Sequence, residues 1–331
     1  MGLVANKQQV ITIATGKKIF VELAANLARS FLLWHPQTDI QFRVVTDQPG
    51  LIPADLKDKI DIYTIKPGEF GEGFSSKLYL DKFATDGQTL FIDSDCLIFD
   101  RIDFLFDRFK GHQVSVIGNY ISDGEWFGNI KNILQKFSLP HMPKFNGGIY
   151  YLEKGEKASA VYQTARKLEK DYDNIGFVRL RNRPNDEVLM ALAMQIHGQE
   201  PVTDDGAVMS DPQACPGGYE VDVINGHRWL LNPPLPHPLH QAWYPFIKVS
   251  PAIVHFLGHY TLEYPYQREV FKLKKAIINQ NMVFWRLQAL LFIEYPGKLK
   301  KYLKDRFRGL YHKLFGVRKV KKSERLIDHI N

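Results

Sequence analysis

The chain has 331 residues, 45% apolar, 24% charged and 13% aromatic, with a formal net charge of +7. That length supports one large α/β domain or two ordinary ones, and the composition is that of a globular protein with material for a core. The charge is local: residues 298–331 hold 12 Lys and Arg against 3 Asp and Glu, and the rest of the chain holds 31 against 33, so a nucleic-acid-binding surface across the fold is not expected.

The two cysteines, Cys96 and Cys215, fit neither a disulfide framework nor a zinc site, and the N-terminal stretch MGLVANKQQVITIATG lacks a long apolar leader segment. Both point to a reducing, cytoplasmic setting. From there the chain alternates: QVITIAT (9–15) predicts a strand, and the apolar residues Phe20, Leu23, Ala24, Leu27, Phe31 and Leu32 recur at helical spacing over 20–34. IQFRVVTD (40–47) and IDIYTI (60–65) predict further strands. A glycine-rich stretch, PGEFGEGF (67–74), precedes a predicted helix, SSKLYLDKFA (75–84), with Ser75 or Ser76 as its N-cap. Next comes the apolar run TLFIDSDCLIFD (89–100).

This βαβ alternation predicts an α/β fold: a Rossmann-like, mixed but mostly parallel sheet flanked by helices. In such sheets ligands bind beyond the carboxyl ends of the strands. Ala14–Thr15–Gly16, Thr46–Asp47 and Asp93–Asp95 all fall at predicted strand ends, gathering polar groups on one rim. Further on, 114–120 and 147–153 predict strands, and 155–172 and 185–197 predict helices. Residues 202–251 are rich in Pro, Gly and aromatics with little periodicity, and a helical region is expected from Tyr266 to about Glu294.

Asp93 and Asp95 sit two apart in an apolar run, where desolvating two like charges is costly unless something offsets them. Oxygen ligands at a strand end suit Mg²⁺ or Mn²⁺, and a bound cation would offset both; a solvated D-S-D turn is the plainer alternative. An EF-hand is excluded, because Leu97 falls at its fifth position and no Gly-plus-Glu pattern follows. An apolar strand ending in D-x-D also opens the haloacid-dehalogenase phosphohydrolases, but there the pair lies near the N-terminus, whereas here nearly three βα units precede it and Cys96-Leu97 follow.

Three further blocks bear on the choice. In KFNGGIYYLEKG (144–155), Asn146-Gly147-Gly148 precede a strand, either as a hairpin-type turn or as flexible backbone that a ligand can approach. In PNDEVLMALAMQIHG (184–198), Asn185 or Asp186 caps a helix, which is by itself enough to explain the acid. VHFLGH (254–259) ends an apolar run with two histidines, and His255 gains interest because an oxygen-rich metal site would benefit from one imidazole.

In this order the motifs resemble the GT-A glycosyltransferases, most closely glycosyltransferase family 8, over about Val10 to Tyr260. The matching segments are ITIATG, SSKLYL, FIDSDCLIF, FNGGIYYLEKG, NDEVLMALA and HFLG. The resemblance implies a GT-A catalytic domain over 1–265 and a metal-dependent transfer of sugar, with retention, from a UDP-linked donor to a glycan or glycolipid. It implies Asp93, Asp95 and His255 as ligands of Mn²⁺ or Mg²⁺, Ala14, Thr15, Ser94, Gly147 and Gly148 around the nucleotide and donor sugar, and Lys77 near the donor sugar or the second aspartate, Asp95. Asn146 and Asp186 would lie closest to the chemistry, with Asp186 holding the sugar and stabilising an oxocarbenium-like state. Two positions depart from the family: Glu187 stands where a glutamine is usual, and Thr261 where a diphosphate-contacting lysine often stands, leaving His259 as the neighbouring candidate. A non-catalytic nucleotide-sugar or glycan-binding protein is the other alternative.

Residues 266–331 form the expected C-terminal helical, basic extension. Within KLKKYLKDRFRGLYHKLFGVRKVKK (298–322), the apolar residues 299, 303, 307, 310 and 314 follow helical spacing with Lys and Arg opposite. This is the pattern of an interfacial helix on an anionic membrane, so a peripheral position on the inner face of the cell membrane is expected. The preceding VFWRLQALLFIEYP (283–296) is too short, and too interrupted by Arg286 and Glu294, to span a bilayer.

Overall fold

The computed structural model describes residues 7–278 and 282–316. Strand β1 (Gln8–Ala14) leads into α1 (Lys18–Trp34), followed by β2 (Gln41–Thr46), β3 (Asp61–Thr64), a 3-10 stretch (Gly73–Tyr79), the single turn α2 (Leu80–Phe83) and β4 (Gln88–Ile92). Next come β5 (Cys96–Ile98), α3 (Asp103–Arg108), β6 (Val114–Ser115), β7 (Ile117–Ile121), α4 (Ile130–Lys136), β8 (Met142–Phe145) and β9 (Ile149–Glu153). Then α5 (Glu156–Lys170), α6 (Tyr172–Ile175) and α7 (Asp186–Ile196) precede five short strands: β10 (Val202–Thr203), β11 (Met209–Ser210), β12 (Tyr219–Asp222), β13 (His227–Leu231) and β14 (Lys248–Val249). Strand β15 (Ile253–His255), α8 (Tyr264–Ile278), α9 (Met282–Ala289), a π-helical turn (Leu290–Glu294) and α10 (Tyr295–Phe315) complete the described chain.

The main sheet has the order β3-β2-β1-β4-β9-β6. Its first four strands are parallel, and β9 runs antiparallel to both β4 and β6. Side chains alternate across it as strand geometry demands. Phe91, Tyr150 and Leu152 join the core beneath α5 and α7, whereas Leu90, Ile92, Ile149 and Tyr151 join the core against α1. Both faces of β4 are therefore buried, and all its residues are apolar except Gln88 and Thr89. Burying one Phe or Leu side chain contributes about 1.5–3 kcal/mol, so these two layers dominate the cohesion of the sheet.

A second sheet, β11-β15-β5, crosses the carboxyl end of β4, and its central strand pairs His255 with Cys96. The turn between β4 and β5 thus lies where two sheets meet.

Several elements differ from the sequence expectation. No serine caps the segment at 75–84: its 3-10 stretch begins at Gly73, and Ser76 Oγ instead donates to the Gly73 carbonyl at 2.8 Å. The run 114–120 divides at Val116 into β6 and β7, which join different sheets. The irregular span 202–251 holds five short strands. Phe20, placed on the buried stripe of α1, is exposed: the helix starts at Lys18, and its buried residues begin at Val21.

Helix α8 carries Tyr266, Val270 and Leu273 into the third core cluster, so packing with the body continues past residue 265. Beyond it, α10 has no buried residue, and Leu299, Leu303, Phe307, Leu310 and Leu314 are all exposed. Its base is pinned where Glu294 meets Arg268 at 2.7 Å and Gly297 abuts Tyr264. Residues 317–322 of the basic stretch lie outside the described residues. Among the described residues, no helix is long and apolar enough to cross a membrane.

Candidate active site

Asp93 and Asp95 occupy the tight turn just past β4. The Asp93 amide donates to the Gly148 carbonyl at 2.9 Å, the Cys96 amide to the Asp93 carbonyl at 3.1 Å, and the Phe256 amide to the Asp95 carbonyl at 2.9 Å. The Ser94 amide donates to Asp93 Oδ1 at 3.0 Å. The turn is therefore clamped between β9 and β15, and each carboxylate meets its own cation.

Lys77 serves Asp93. Its Nζ donates to Asp93 Oδ2 at 2.7 Å and to the Gly147 carbonyl at 2.9 Å, and lies 3.7 Å from Asp186 Oδ2. Burial alone would draw its pKa down, but the Asp186 and Asp93 charges together push it up. Asp186 opens α7, where the helix dipole favours an acid, and the Asn185 side chain caps the helix by accepting from the Glu187 amide at 2.7 Å. Tyr150 donates its hydroxyl proton to Asp186 Oδ2. Burial still raises the Asp186 pKa, despite Lys77 and that hydrogen bond. Glu187 Oε1 accepts from the Gly147 amide at 2.7 Å, and burial next to Asp186 lifts its pKa to about 7.

His255 serves Asp95, with Nε2 at 2.8 Å from Asp95 Oδ1 and 4.0 Å from Asp93 Oδ2. Burial lowers the imidazole pKa, but the Asp95 charge and hydrogen bond outweigh it and raise it to about 8. Asp95 is held low, since His255 outweighs its burial. The other ring nitrogen, Nδ1, faces Asn146 Oδ1 at 3.1 Å. The Gly148 amide, which can only donate, meets the same oxygen at 3.0 Å, while Asn146 Nδ2 donates to Asp211 Oδ2 at 3.2 Å. These partners fix the Asn146 amide, and through it a protonated Nδ1 on His255.

Gly147 and Gly148 owe their identity to space. A methyl group on Gly148 would stand 2.7 Å from His255 Nδ1, and one on Gly147 would stand 2.9 Å from Glu187 Cγ. Neither residue has a positive φ. The backbone freedom expected for ligand approach is thus replaced by close packing of the site's own side chains.

Carboxylate and imidazole donors suit a hard divalent cation. Nε2 of His255 lies 2.8 Å from Asp95 Oδ1 and 4.0 Å from Asp93 Oδ2, but among the described residues the ligand atoms gathered closely enough for one ion are those of Asp95, Cys96 and His255, while Asp93 Oδ2 is turned to Lys77. Cys96 lies geometrically close to Asp95 and His255. Burial and two neighbouring aspartates push its thiol pKa well up, and a protonated thiol is a poor ligand for such an ion.

Of the other residues singled out in sequence, Ala14 and Thr15 end β1 on the same rim: with Ile11 opposite Phe91, Ala14 stands level with the turn that begins at Asp93. The Gly16 amide beyond them donates to both carboxylate oxygens of Asp47 at 3.1 Å. Ser94 is buried within the turn. His259 is exposed and faces Glu263 at 3.7 Å, and Thr261 is buried with its hydroxyl on the Gly258 carbonyl at 2.7 Å. Two further members of the cluster carry no sequence signal of their own: Tyr150 lies within the apolar strand 147–153, and Asp211 lies within the irregular span 202–251, where its Oδ1 also accepts from the Gln213 and Ala214 amides.

No protein-family model matches the chain, and no curated protein matches it in sequence. Among solved structures, the chain is similar to the galactosyltransferase LgtC in complex with donor and acceptor sugar analogs, at 14% identity and a TM-score of 0.51, covering 76% of this chain and 87% of that one. An active-site mutant of LgtC matches at 13% identity and a TM-score of 0.49, covering 76% and 88%. The glycosyltransferase GlyE of Streptococcus pneumoniae TIGR4 matches at 14% and 0.40, covering 60% and 45%. The first likeness identifies the fold as GT-A, and the other two are too remote to add to it.

Proposed function

We propose that the protein is a glycosyltransferase that moves a sugar, with retention, from a UDP-linked donor to a glycan or glycolipid acceptor, with Mn²⁺ or Mg²⁺ held by Asp93, Asp95 and His255. The observation that carries this reading is the pairing of His255 with Asp95, Nε2 to Oδ1 at 2.8 Å, at the carboxyl rim of a GT-A sheet, with Asp93 on the same turn 4.0 Å from that nitrogen. A bound divalent cation would supply Lewis-acid neutralisation of charge on the leaving nucleoside diphosphate.

The chain's own groups then do the following. Lys77 holds Asp93 in place and keeps a positive charge against the donor end of the cleft. Asn146 and Asp211 orient His255. Glu187 and Asp186 sit on the Gly147 backbone, where the donor sugar would lie, and Asp186 holds negative potential against a developing oxocarbenium ion. No observation favours a phosphohydrolase, which would need the acidic pair but neither Asn146 nor His255 gathered on it. For the acceptor, the exposed apolar face of α10 and its Lys and Arg residues support docking on the anionic inner face of the cell membrane, where a glycolipid is presented.

A thermal-shift panel of nucleotide sugars with and without Mn²⁺ tests the reading. A UDP-sugar should raise the melting temperature in a Mn²⁺-dependent way, and Asp95→Ala should abolish the shift. Absence of any nucleotide effect, or a shift that Asp95→Ala leaves intact, overturns it. Binding without turnover would reassign the chain as a nucleotide-sugar-binding protein.

A further inference from the structure

We propose that Arg181, in the loop that leads into α7, is the cation that clasps the donor's diphosphate; the inference rests on the nucleotide-sugar reading above. The inner cluster has no cation to spare for a phosphate. Five carboxyl groups, those of Asp93, Asp95, Asp186, Glu187 and Asp211, surround Lys77 and His255. The Lys77 ammonium is committed to Asp93, Asp186 and the Gly147 carbonyl, and His255 to Asp95 and Asn146. A polyanionic diphosphate entering here meets repulsion that one divalent ion only partly offsets. A guanidinium, with its rigid fork of donors, is the side chain best suited to make up the difference.

Arg181 lies in the loop that delivers Asp186 to the site. Leu180 and Arg183 exchange backbone hydrogen bonds of 2.9 and 3.0 Å, which makes Arg181 and Asn182 the two central residues of a tight turn, with φ of +53° and +62°. Such turns favour Asn and Gly, and holding an arginine there costs of order 1 kcal/mol. Its neighbours in the loop are employed: Arg179 forks onto Asp173 at 2.8 and 2.7 Å, and Arg183 pairs with Glu72 at 3.2 Å. Arg181 is exposed and forms no hydrogen bond or ion pair with a described residue. Its Nη2 stands 3.7 Å from the position of a methyl group on Gly258, three residues beyond His255. A strained turn thus presents an unpartnered guanidinium over the backbone that leads away from a metal-binding side chain. Thr261 on that backbone is turned to the Gly258 carbonyl, and His259 stands 3.7 Å from Glu263.

Arg181→Asn tests this cleanly, because asparagine tolerates the left-handed region and relaxes the turn. The variant should melt no lower than the parent chain. Its affinities for UDP and for inorganic pyrophosphate, titrated calorimetrically with Mn²⁺ present, should fall at least tenfold and become less salt-sensitive. Arg181→Lys should retain part of the affinity, and Arg179→Gln, which removes a committed arginine, should change neither. Undiminished UDP and pyrophosphate binding by Arg181→Asn overturns the role of Arg181 while leaving the donor site standing. Failure of the parent chain to bind either probe overturns the donor site and this inference with it.

Discussion

Asn146 Oδ1 lies 3.1 Å from His255 Nδ1. Because the Gly148 amide donates to the same oxygen and Asp211 accepts from Asn146 Nδ2, the amide cannot turn over without losing three hydrogen bonds. The imidazole is consequently held with Nδ1 protonated and Nε2 directed at the acidic turn. Outer partners of this kind are worth about 10–100-fold in metal affinity. Asn146→Ala should weaken Mn²⁺ binding by that factor, as read by electron paramagnetic resonance titration without nucleotide. A folded Asn146→Ala protein with unchanged Mn²⁺ affinity would show that His255 is not oriented in this way.

Lys77 is the only cation in contact with both Asp93 and Asp186 among the described residues, and Asp186 is buried. Removing one partner of a buried ion cluster leaves the other's charge uncompensated, at a cost of about 3–5 kcal/mol. Lys77→Met should lose stability on that scale in urea unfolding. The double variant Lys77→Met/Asp186→Asn should recover part of it, since the orphaned charge is gone. A loss under about 1 kcal/mol for the single variant would remove Lys77 as a stabilising element.

Glu187 gives stability a pH dependence of definite sign. Burial and Asp186 raise its pKa from the ordinary 4.5 to about 7, so between those values the folded state keeps a proton that the unfolded chain has released. Its contribution is therefore fully present below pH 4.5, falls as pH rises through the window to 7, and stays lost above it. At full ionisation the penalty is of order 3 kcal/mol. Glu187→Gln keeps an oxygen for the Gly147 amide without the charge. It should raise the melting temperature at pH 8 and leave it nearly unchanged near pH 4.5. An equal change at both pH values would place the effect elsewhere.

The strand ends were legible because apolar runs stop abruptly at polar residues: β1 at Thr15, β2 at Asp47 and β4 at Asp93. The acidic pair stands out for the same reason, at the close of a buried strand, and His255 gains interest only as the imidazole that an oxygen-rich metal site would use. The charge compensation was not legible. Lys77 lies in a segment whose serines suggested a helix cap, whereas positive φ at Gly71 and Gly73 and the Ser76 back-bond fold it as a 3-10 turn. Asp211 was hidden because its local hydrogen bonds are those of an ordinary turn, and only its contact with Asn146, 65 positions away, gives it a role. Tyr150 carries no sequence sign of its hydroxyl's partner. Local rules found the polar stops, but long-range contacts decided what each one does.

The last prediction concerns α10. Its apolar residues Leu299, Leu303, Phe307, Leu310 and Leu314 fall at successive spacings of four, four, three and four, and all are exposed. An exposed apolar stripe of that length is unusual for a helix that buries none of it among the described residues, and the surrounding Lys and Arg match an anionic lipid surface rather than an apolar protein groove. Each basic residue near such a surface adds about 1 kcal/mol, so binding should be strong at low salt and weaken steeply as salt is raised. The full chain should co-sediment with phosphatidylglycerol-containing vesicles and not with pure phosphatidylcholine. Leu303→Glu/Phe307→Glu, which puts charge into the stripe, should release the protein from vesicles while leaving its Mn²⁺-dependent nucleotide binding intact. Equal binding to both vesicle types, or undiminished binding by the double variant, would assign this face to something other than a membrane.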